Sequence, residues 1–116
     1  MQIQVNTDRT IKGDEDLTQQ VRAEVEARLG RFGDRITRIE VHLGDENSHK
    51  SRGDDKRCLI EVRPAGLKPV VATHRAPSVA LALEGAADKV ERLLDGALER
   101  LFDPKGRTPY GGDPEA

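Results

Sequence analysis

The sequence predicts an α+β domain, a two-layer sandwich with the order β-α-β-β-β-α, in which two helices cover one face of a four-stranded mixed sheet. Two observations predict this fold. Four short segments alternate apolar and polar residues, and two longer segments repeat apolar residues at helical spacing. A chain of 116 residues suits one such domain, and because aromatic residues make up only 3% of it, the core must be aliphatic.

The first strand and the first helix occupy the N-terminal third of the chain. Ile3 and Val5 alternate with polar neighbours, which predicts a strand over residues 1–6. After a polar loop, Asp14 or Asp16 can cap a helix that ends at the Gly33-Asp34 pair. The apolar stripe of this helix consists of Leu17, Val21, Val25, Leu29 and Phe32.

Three strands come next, and the strand-helix-strand start favours a parallel crossover before two antiparallel connections. Alternation predicts the second strand over residues 38–43 and the third over residues 57–63, where Leu59 alone breaks the pattern. Residues 44–55 between them are polar and predict an exposed loop. A four-residue turn at 63–66 leads into the fourth strand at 67–74, which Pro69 assigns to the sheet edge or to a bulge.

The second helix is predicted from Pro77 or Ser78 to about Phe102. Its apolar side consists of Val79, Leu83, Ala86, Ala87, Val90, Leu94, Ala97 and Leu101. Residues 103–116 are rich in glycine and proline and poor in apolar residues, so we expect a disordered tail. The domain is therefore expected to span residues 1–102.

Composition and motifs exclude several classes of function. A single cysteine, Cys58, cannot form an intramolecular disulfide, and no signal peptide or long apolar run is present, so we expect a cytoplasmic protein without a membrane partner. His42, His49 and His74 lack the close spacing of metal ligands, which predicts no metal site. No phosphate-binding loop or nucleophile motif is present, so we expect no enzyme, cofactor or small-molecule substrate. An enzyme that used Cys58 would need an accessible thiolate.

Basic residues give the clearest functional indication. The net charge is −2, yet seven Lys/Arg face three acidic residues between Lys50 and Arg75. Others lie on the two predicted helices: Arg22, Arg28, Arg31, Arg35, Lys89 and Arg92. Adjacent helices could merge these into a cationic surface for duplex RNA, which needs no aromatic stacking. Alternatively they are ordinary solvated faces, paired with Glu24, Glu26, Asp88 and Glu91.

The chain resembles the ribosome hibernation-promoting factor family, which includes ribosome-associated inhibitor A and the sigma-factor modulation proteins. The resemblance covers about residues 1–102. It depends on the strand at 1–6, the segment from Arg28 to Ile36, the strand at 39–43, and the Ala82-Leu83-Glu84 and Asp88-Lys89-Val90 segments.

This resemblance implies a fold close to a double-stranded-RNA-binding domain and a site on the small ribosomal subunit, where messenger and transfer RNA bind. Occupancy of that site would silence idle ribosomes by steric blockade. The residues implied to contact 16S ribosomal RNA are Arg28, Arg31, Arg35, Lys89 and Arg92, with Arg22 and Arg38 beside them. The chain departs from many relatives in having Ala80 in place of a tyrosine and an acidic end to its second helix.

The ending of the chain resembles the short members of the family, so we expect no C-terminal domain that pairs ribosomes, and the sequence leaves the oligomeric state open. A competing hypothesis is a stress-related protein-interaction module. In that case the exposed sheet face would meet an acidic partner protein through Arg38, His42, Arg57, Leu59 and Arg63.

Overall fold

The computed structural model describes residues 1–8, 15–45 and 55–102. Its strands are β1 (Gln2–Thr7), β2 (Ile36–Asp45), β3 (Lys56–Pro64) and β4 (Val70–Ala76). Its helices are α1 (Glu15–Leu29), a 3-10 helix (Gly30–Arg35) and α2 (Val79–Phe102). The predicted order of elements is confirmed, while most of the predicted loop (residues 46–54) and the predicted tail (103–116) lie outside the described residues.

The four strands form one sheet in the order β1-β2-β3-β4. β1 pairs parallel with β2, and β2, β3 and β4 pair antiparallel, so the predicted mixed sheet is confirmed. β4 lies at an edge, as predicted. Since alternate residues point to opposite faces, one face of the sheet carries the apolar positions of every strand and the other carries the polar ones.

The hydrophobic core lies between the sheet and both helices. The sheet contributes fully buried Ile39, Val41, Ile60 and Val62. The helices contribute Val21, Val25 and Leu29 from α1, and Ala86, Ala87, Val90 and Leu94 from α2. Each buried aliphatic side chain of this size stabilises the fold by about 1.5–3 kcal/mol relative to exposure. Aliphatic residues thus form the core, as the low aromatic content predicted.

The end of the first helix differs from the prediction. α1 ends at Leu29, and Phe32 is buried from the 3-10 helix that follows instead of from the α-helix. Gly33 within this segment has φ 54°, a left-handed conformation that favours glycine. The tighter 3-10 turn still directs Phe32 into the core, so the predicted apolar stripe is preserved while the helix is shorter.

The fourth strand begins later than predicted. β4 starts at Val70 and ends at Ala76, whereas the sequence predicted residues 67–74. Gly66 with φ 77° and a hydrogen bond from the Leu67 N–H to the Pro64 carbonyl (3.3 Å) shape the preceding turn. Pro69 has no N–H to donate and stays outside the strand, so no bulge is needed to accommodate it.

β4 and α2 approach each other most closely at His74 and Gly85. A Cβ atom on Gly85 would lie 2.0 Å from His74 Cδ2, so only a glycine fits against this imidazole. His74, half-buried, lies on the same face of β4 as the buried Ala72 and Ala76 and faces α2. In the part of the chain that the structure describes, neither helix is apolar enough over a sufficient length to cross a membrane.

Candidate nucleic-acid interface

Ion pairs join α1 and the adjoining 3-10 helix to α2. Arg28 pairs with Asp88 and Glu91, and Arg31, three residues later, pairs with Glu91 and Asp95. The partners advance along both segments in the same direction, so α1 and α2 run parallel. We call this group, together with Glu24, the helix seam: Glu24, Arg28, Arg31, Asp88, Glu91 and Asp95.

Arg31 is the most strongly bound arginine of the helix seam. Its Nη2 donates to Glu91 Oε2 at 3.1 Å and to the two carboxylate oxygens of Asp95 at 3.0 and 2.9 Å. Its guanidinium carbon also lies 4.2 Å from the centroid of the Phe32 ring, a cation–π contact. The hydrogen bond to Asp95, followed by the one to Glu91, raises the pKa of Arg31 above its usual value. The charged form is thus held in place, although the side chain is 52% exposed.

Arg28 contacts three carboxylates at longer distances. Its Nε lies 3.3 Å from Glu24, and its Nη1 lies 3.5 Å from both Asp88 and Glu91. The helix seam therefore holds two guanidinium groups among four carboxylates and is acidic in balance. Arg28 and Arg31 do lie at the junction of the two helices, but as members of ion pairs rather than as a surface of unpaired cations. The alternative interpretation, solvated helix faces with paired charges, named three of the four carboxylate partners of Arg28 and Arg31. It did not include Asp95, and it included Glu26, which is not one of these partners.

The basic residues of α2 lie on other parts of that helix. Arg92 is 78% exposed and pairs with Asp88 at 3.0 Å, one turn earlier. Lys89 donates from Nζ to the backbone carbonyl of Thr73 at 3.0 Å, so it reaches over the edge strand β4 and away from α1. Lys89 thus does not share a surface with Arg28 and Arg31.

The three remaining predicted contact residues, Arg22, Arg35 and Arg38, lie outside the helix seam and apart from one another. Arg22 is exposed on α1, two residues before Glu24, and helical geometry places it on the flank opposite the helix seam. Arg35 ends the 3-10 helix, where its carbonyl accepts a hydrogen bond from the Ala65 N–H at 2.7 Å. Arg38 projects from the polar face of the sheet. The predicted set is therefore distributed over several surfaces of the domain.

The polar face of the sheet, which we call the open face, lies on the side away from the helices. Strand register arranges its side chains in cross-strand rows. In order along β2, the rows are Gln2-Arg38-Arg63, Gln4-Glu40-Glu61-Val71, Asn6-His42-Leu59-Thr73 and Gly44-Arg57-Arg75. Arg38 stands directly opposite Arg63, and Arg57 directly opposite Arg75.

Arg38 and Arg63 of the open face contact fewer carboxylates than Arg28 and Arg31 of the helix seam. Arg38 pairs with Glu40 at 3.1 Å and hydrogen-bonds to Gln4, while His42 Nε2 lies 3.3 Å from Glu40. Arg63 lies 3.6 Å from Glu61, which is beyond hydrogen-bond distance. Within the described residues, Arg38 and Arg63 each contact a single carboxylate, and the Nε of Arg38 is buried without a hydrogen-bond partner.

Among the candidate groups for catalysis, Cys58 and His74 lie directly opposite each other on β3 and β4. Cys58 is fully buried, and burial raises the pKa of its thiol to about 12, so it is not an accessible thiolate. Lys56 lies between Asp45 (3.3 Å) and Asp55 (3.2 Å), and its pKa is raised above the usual value, chiefly by the hydrogen bond to Asp55. His49 lies outside the described residues. No group of three or more His, Cys, Asp or Glu within those residues is arranged to hold a metal ion.

An open cleft lies between the first halves of the two helices. It has a volume of about 490 Å³. Its lining consists of Leu17, Gln20, Val21, Ala23 and Glu24 from α1 and Val79, Ala80, Leu81, Leu83 and Glu84 from α2. It thus carries aliphatic side chains with two glutamates, and no nucleophile or histidine.

Comparison with known families agrees with this architecture. The sequence profile of the family described as sigma 54 modulation protein / S30EA ribosomal protein matches residues 7–101. The chain belongs to this family. The matched range runs from the end of β1 almost to the end of α2, so it contains both the helix seam and most of the open face. The family resemblance is thereby confirmed. S30EA proteins are ribosome-associated and are not known as enzymes.

Two solved structures share the fold of this S30EA chain. A ribosomal subunit interface protein from Coxiella burnetii has 16% identity and a TM-score of 0.69, and covers 85% of this chain and 99% of its own. The N-terminal domain of Protein Y from Thermus thermophilus has 20% identity and a TM-score of 0.68, and covers 84% of this chain and 99% of its own. At these identities the likeness establishes the fold. No curated protein sequence matches the chain significantly.

Proposed function

We propose that this protein associates with the small ribosomal subunit, contacts 16S ribosomal RNA where messenger and transfer RNA bind, and thereby silences idle ribosomes in the cytoplasm. The observation that carries the proposal is the family match over residues 7–101, which covers nearly all of the folded domain. Two similarly folded proteins are described as a ribosomal subunit interface protein and as Protein Y, which also supports association with the ribosome.

The proposed mechanism is steric and requires no chemical step. A folded domain that occupies the site excludes the RNAs that would otherwise bind there, and the mechanism makes no use of the buried Cys58, whose thiol pKa is raised to about 12. Contacts to RNA phosphates are electrostatic and release counterions, so the affinity falls as salt rises, with a slope of nearly one per phosphate contact. The proposed contact residues are Arg28, Arg31, Arg35, Lys89 and Arg92, with Arg22 and Arg38 beside them.

The ion pairs of the helix seam set a condition on this mechanism. A phosphate that binds Arg28 or Arg31 must compete with carboxylates already within 3.5 Å. Exposed ion pairs contribute only about 0–1 kcal/mol, so a phosphate can replace a carboxylate partner at modest cost. Contact through these residues therefore exchanges partners and leaves displaced carboxylates close to the RNA.

Sedimentation with vacant ribosomes tests the proposal. Wild type and R28Q/R31Q/K89Q are centrifuged with ribosomes at about 50 mM and about 200 mM salt. We expect wild type to sediment at low salt and to dissociate at high salt, and the variant to bind at least tenfold more weakly because it has lost three cationic groups. R100Q, which changes an exposed arginine near the end of α2, is the control for a change in net charge. Wild type that stays in the supernatant at low salt would contradict the proposal.

A further inference from the structure

The open face of the sheet carries arginines in an arrangement that the fold does not require. Arg38 faces Arg63 across β2 and β3, and Arg57 faces Arg75 across β3 and β4. Like charges directly opposite each other destabilise a sheet. We infer that the open face is a second contact surface for RNA phosphates, with anions bound at these two rows of arginines.

The spacing of the rows fits a polyanion better than a single small anion. Residues 57 and 63 of β3 mark the two rows, and six residues of strand separate them by about 20 Å. The Gln4-Glu40-Glu61-Val71 and Asn6-His42-Leu59-Thr73 rows lie between. One small anion cannot reach both pairs of arginines, whereas a nucleic-acid backbone presents phosphates repeatedly over such a distance.

The distribution of charge favours this face over the helices. α2 carries five acidic and three basic residues, whereas the rows of the open face contain four arginines and two glutamates. Arg38 and Arg63 each contact one carboxylate, and the Arg63 contact is 3.6 Å. In the helix seam, Arg28 contacts three carboxylates and Arg31 contacts two. A phosphate therefore meets less competition on the open face.

The side chains of the open face also favour RNA over an acidic protein. Protein interfaces depend on a few buried aromatic or large apolar anchors. The rows of the open face contain two large aliphatic residues, Leu59 and Val71, and no aromatic residue. The absence of aromatics in these rows also disfavours stacked single-stranded bases. Structured RNA, which proteins contact mainly through its backbone, fits this surface.

The inference rests on the proposed function and adds to it a second contact surface for RNA. The helix seam belongs to the helix layer and the open face to the far side of the sheet, while Arg28 and Arg75 line one cleft at the start of α2. The protein would therefore contact RNA through both layers. Binding from two sides holds the domain in place without a large affinity at either surface.

Binding of fluorescently labelled protein to purified small subunits tests this inference. R38Q/R63Q and R28Q/R31Q remove the same charge from the open face and from the helix seam, and R63Q is compared with the single-charge control R100Q. Circular dichroism verifies that each variant is folded. We expect R63Q to bind about threefold more weakly and R38Q/R63Q about tenfold more weakly than wild type, with a salt slope lower by about one per arginine removed. R100Q should stay within twofold of wild type.

The outcomes separate the inference from the proposed function. If R38Q/R63Q binds like R100Q while wild type binds well, the open face, Arg38 included, is not a contact surface, and the proposed function stands on the residues of the helices alone. If wild type does not bind subunits, the proposed function fails, and a labelled RNA duplex of about 20 base pairs tests the inference alone. Binding of that duplex by wild type and not by R38Q/R63Q supports it. Failure of wild type to bind the duplex overturns it and favours an acidic protein partner.

Discussion

Arg31 in the helix seam and Arg63 on the open face are equally exposed, at 52% each, yet their surroundings are opposite. Arg31 makes three hydrogen bonds to two carboxylates, whereas Arg63 has one carboxylate at 3.6 Å and an arginine directly opposite. Exposure alone therefore does not tell whether a cationic side chain is available to a ligand. The number of carboxylates already in contact is the better guide.

The difference arises from how helices and strands select neighbours. Carboxylates spaced three or four residues apart, such as Asp88, Glu91 and Asp95, lie on one flank of a helix, where they meet the arginines of an adjacent helix. On a sheet, packing of the apolar face fixes the register of the strands. The register then decides which polar residues stand opposite each other on the other face. Arg38 therefore meets Arg63 because Ile39 must pair with Val62.

The largest effect is expected from Cys58, which is buried in the core, because its ionisation destabilises the fold on which both the helix seam and the open face depend. Its thiol has a pKa of about 12 in the folded protein, against 9.0 when exposed. Between these values the unfolded chain loses a proton that the folded chain keeps, so the free energy of unfolding falls as pH rises from 9 toward 12. The slope is about 1.4 kcal/mol per pH unit, and the full contribution is present below pH 9.

Chemical denaturation of wild type and Cys58→Ala across this pH range measures that effect. The variant loses a small buried group and is less stable at neutral pH, but its unfolding free energy should depend less on pH. Equal pH slopes for the two proteins would show that the thiol does not ionise on unfolding.

The next largest effect is expected for Gly85→Ala, which disturbs the packing of α2 on β4. A Cβ atom would meet His74 Cδ2 at 2.0 Å and Cγ at 2.4 Å, so the imidazole must move. Overpacking costs about 1–3 kcal/mol, which exceeds the gain of about 1 kcal/mol from replacing a helical glycine. Thermal denaturation should show a less stable protein. His74→Ala/Gly85→Ala should be more stable than Gly85→Ala alone, and no rescue would mean that the clash is relieved elsewhere.

The smallest effects are expected from removing one carboxylate charge from the helix seam and one from the open face. Asp95→Asn removes a charged partner of Arg31 and should lower the free energy of unfolding slightly, because the pair is exposed to solvent. Glu61→Gln removes a charge that faces Glu40 directly, so it should leave stability unchanged or raise it by a few tenths of a kcal/mol. Urea denaturation of both variants at low salt gives the sign of each effect. A loss of stability in Glu61→Gln as large as in Asp95→Asn would show that the two faces do not differ.

Much of the fold follows from local patterns in the sequence. Alternation at Ile39, Val41 and Leu43 predicts a strand because one face is buried, and the structure places all three in the core. Element ends were less accurate, because they depend on turn geometry. The 3-10 helix that keeps Phe32 buried and the late start of β4 after Pro69 have no periodic signal.

The site was harder to predict because it depends on long-range packing. The pair of Arg31 with Asp95 joins residues 64 positions apart and exists only because α1 and α2 lie side by side. Two local signals were nevertheless present. Helical spacing places Lys89 on the flank opposite Glu91, and a glycine at position 85 inside a helix indicates a close approach of another element.

The hydrogen bond from Lys89 Nζ to the Thr73 carbonyl has a consequence for self-association. β4 is an edge strand, and the polar backbone groups along such an edge can pair with a strand of another molecule and start aggregation. A lysine that occupies one of these carbonyls interrupts the row of acceptors, and its charge repels a second copy that carries the same group. Besides its proposed contact with RNA, Lys89 thus shields the edge of the sheet, so loss of Lys89 should also change how the protein behaves at high concentration.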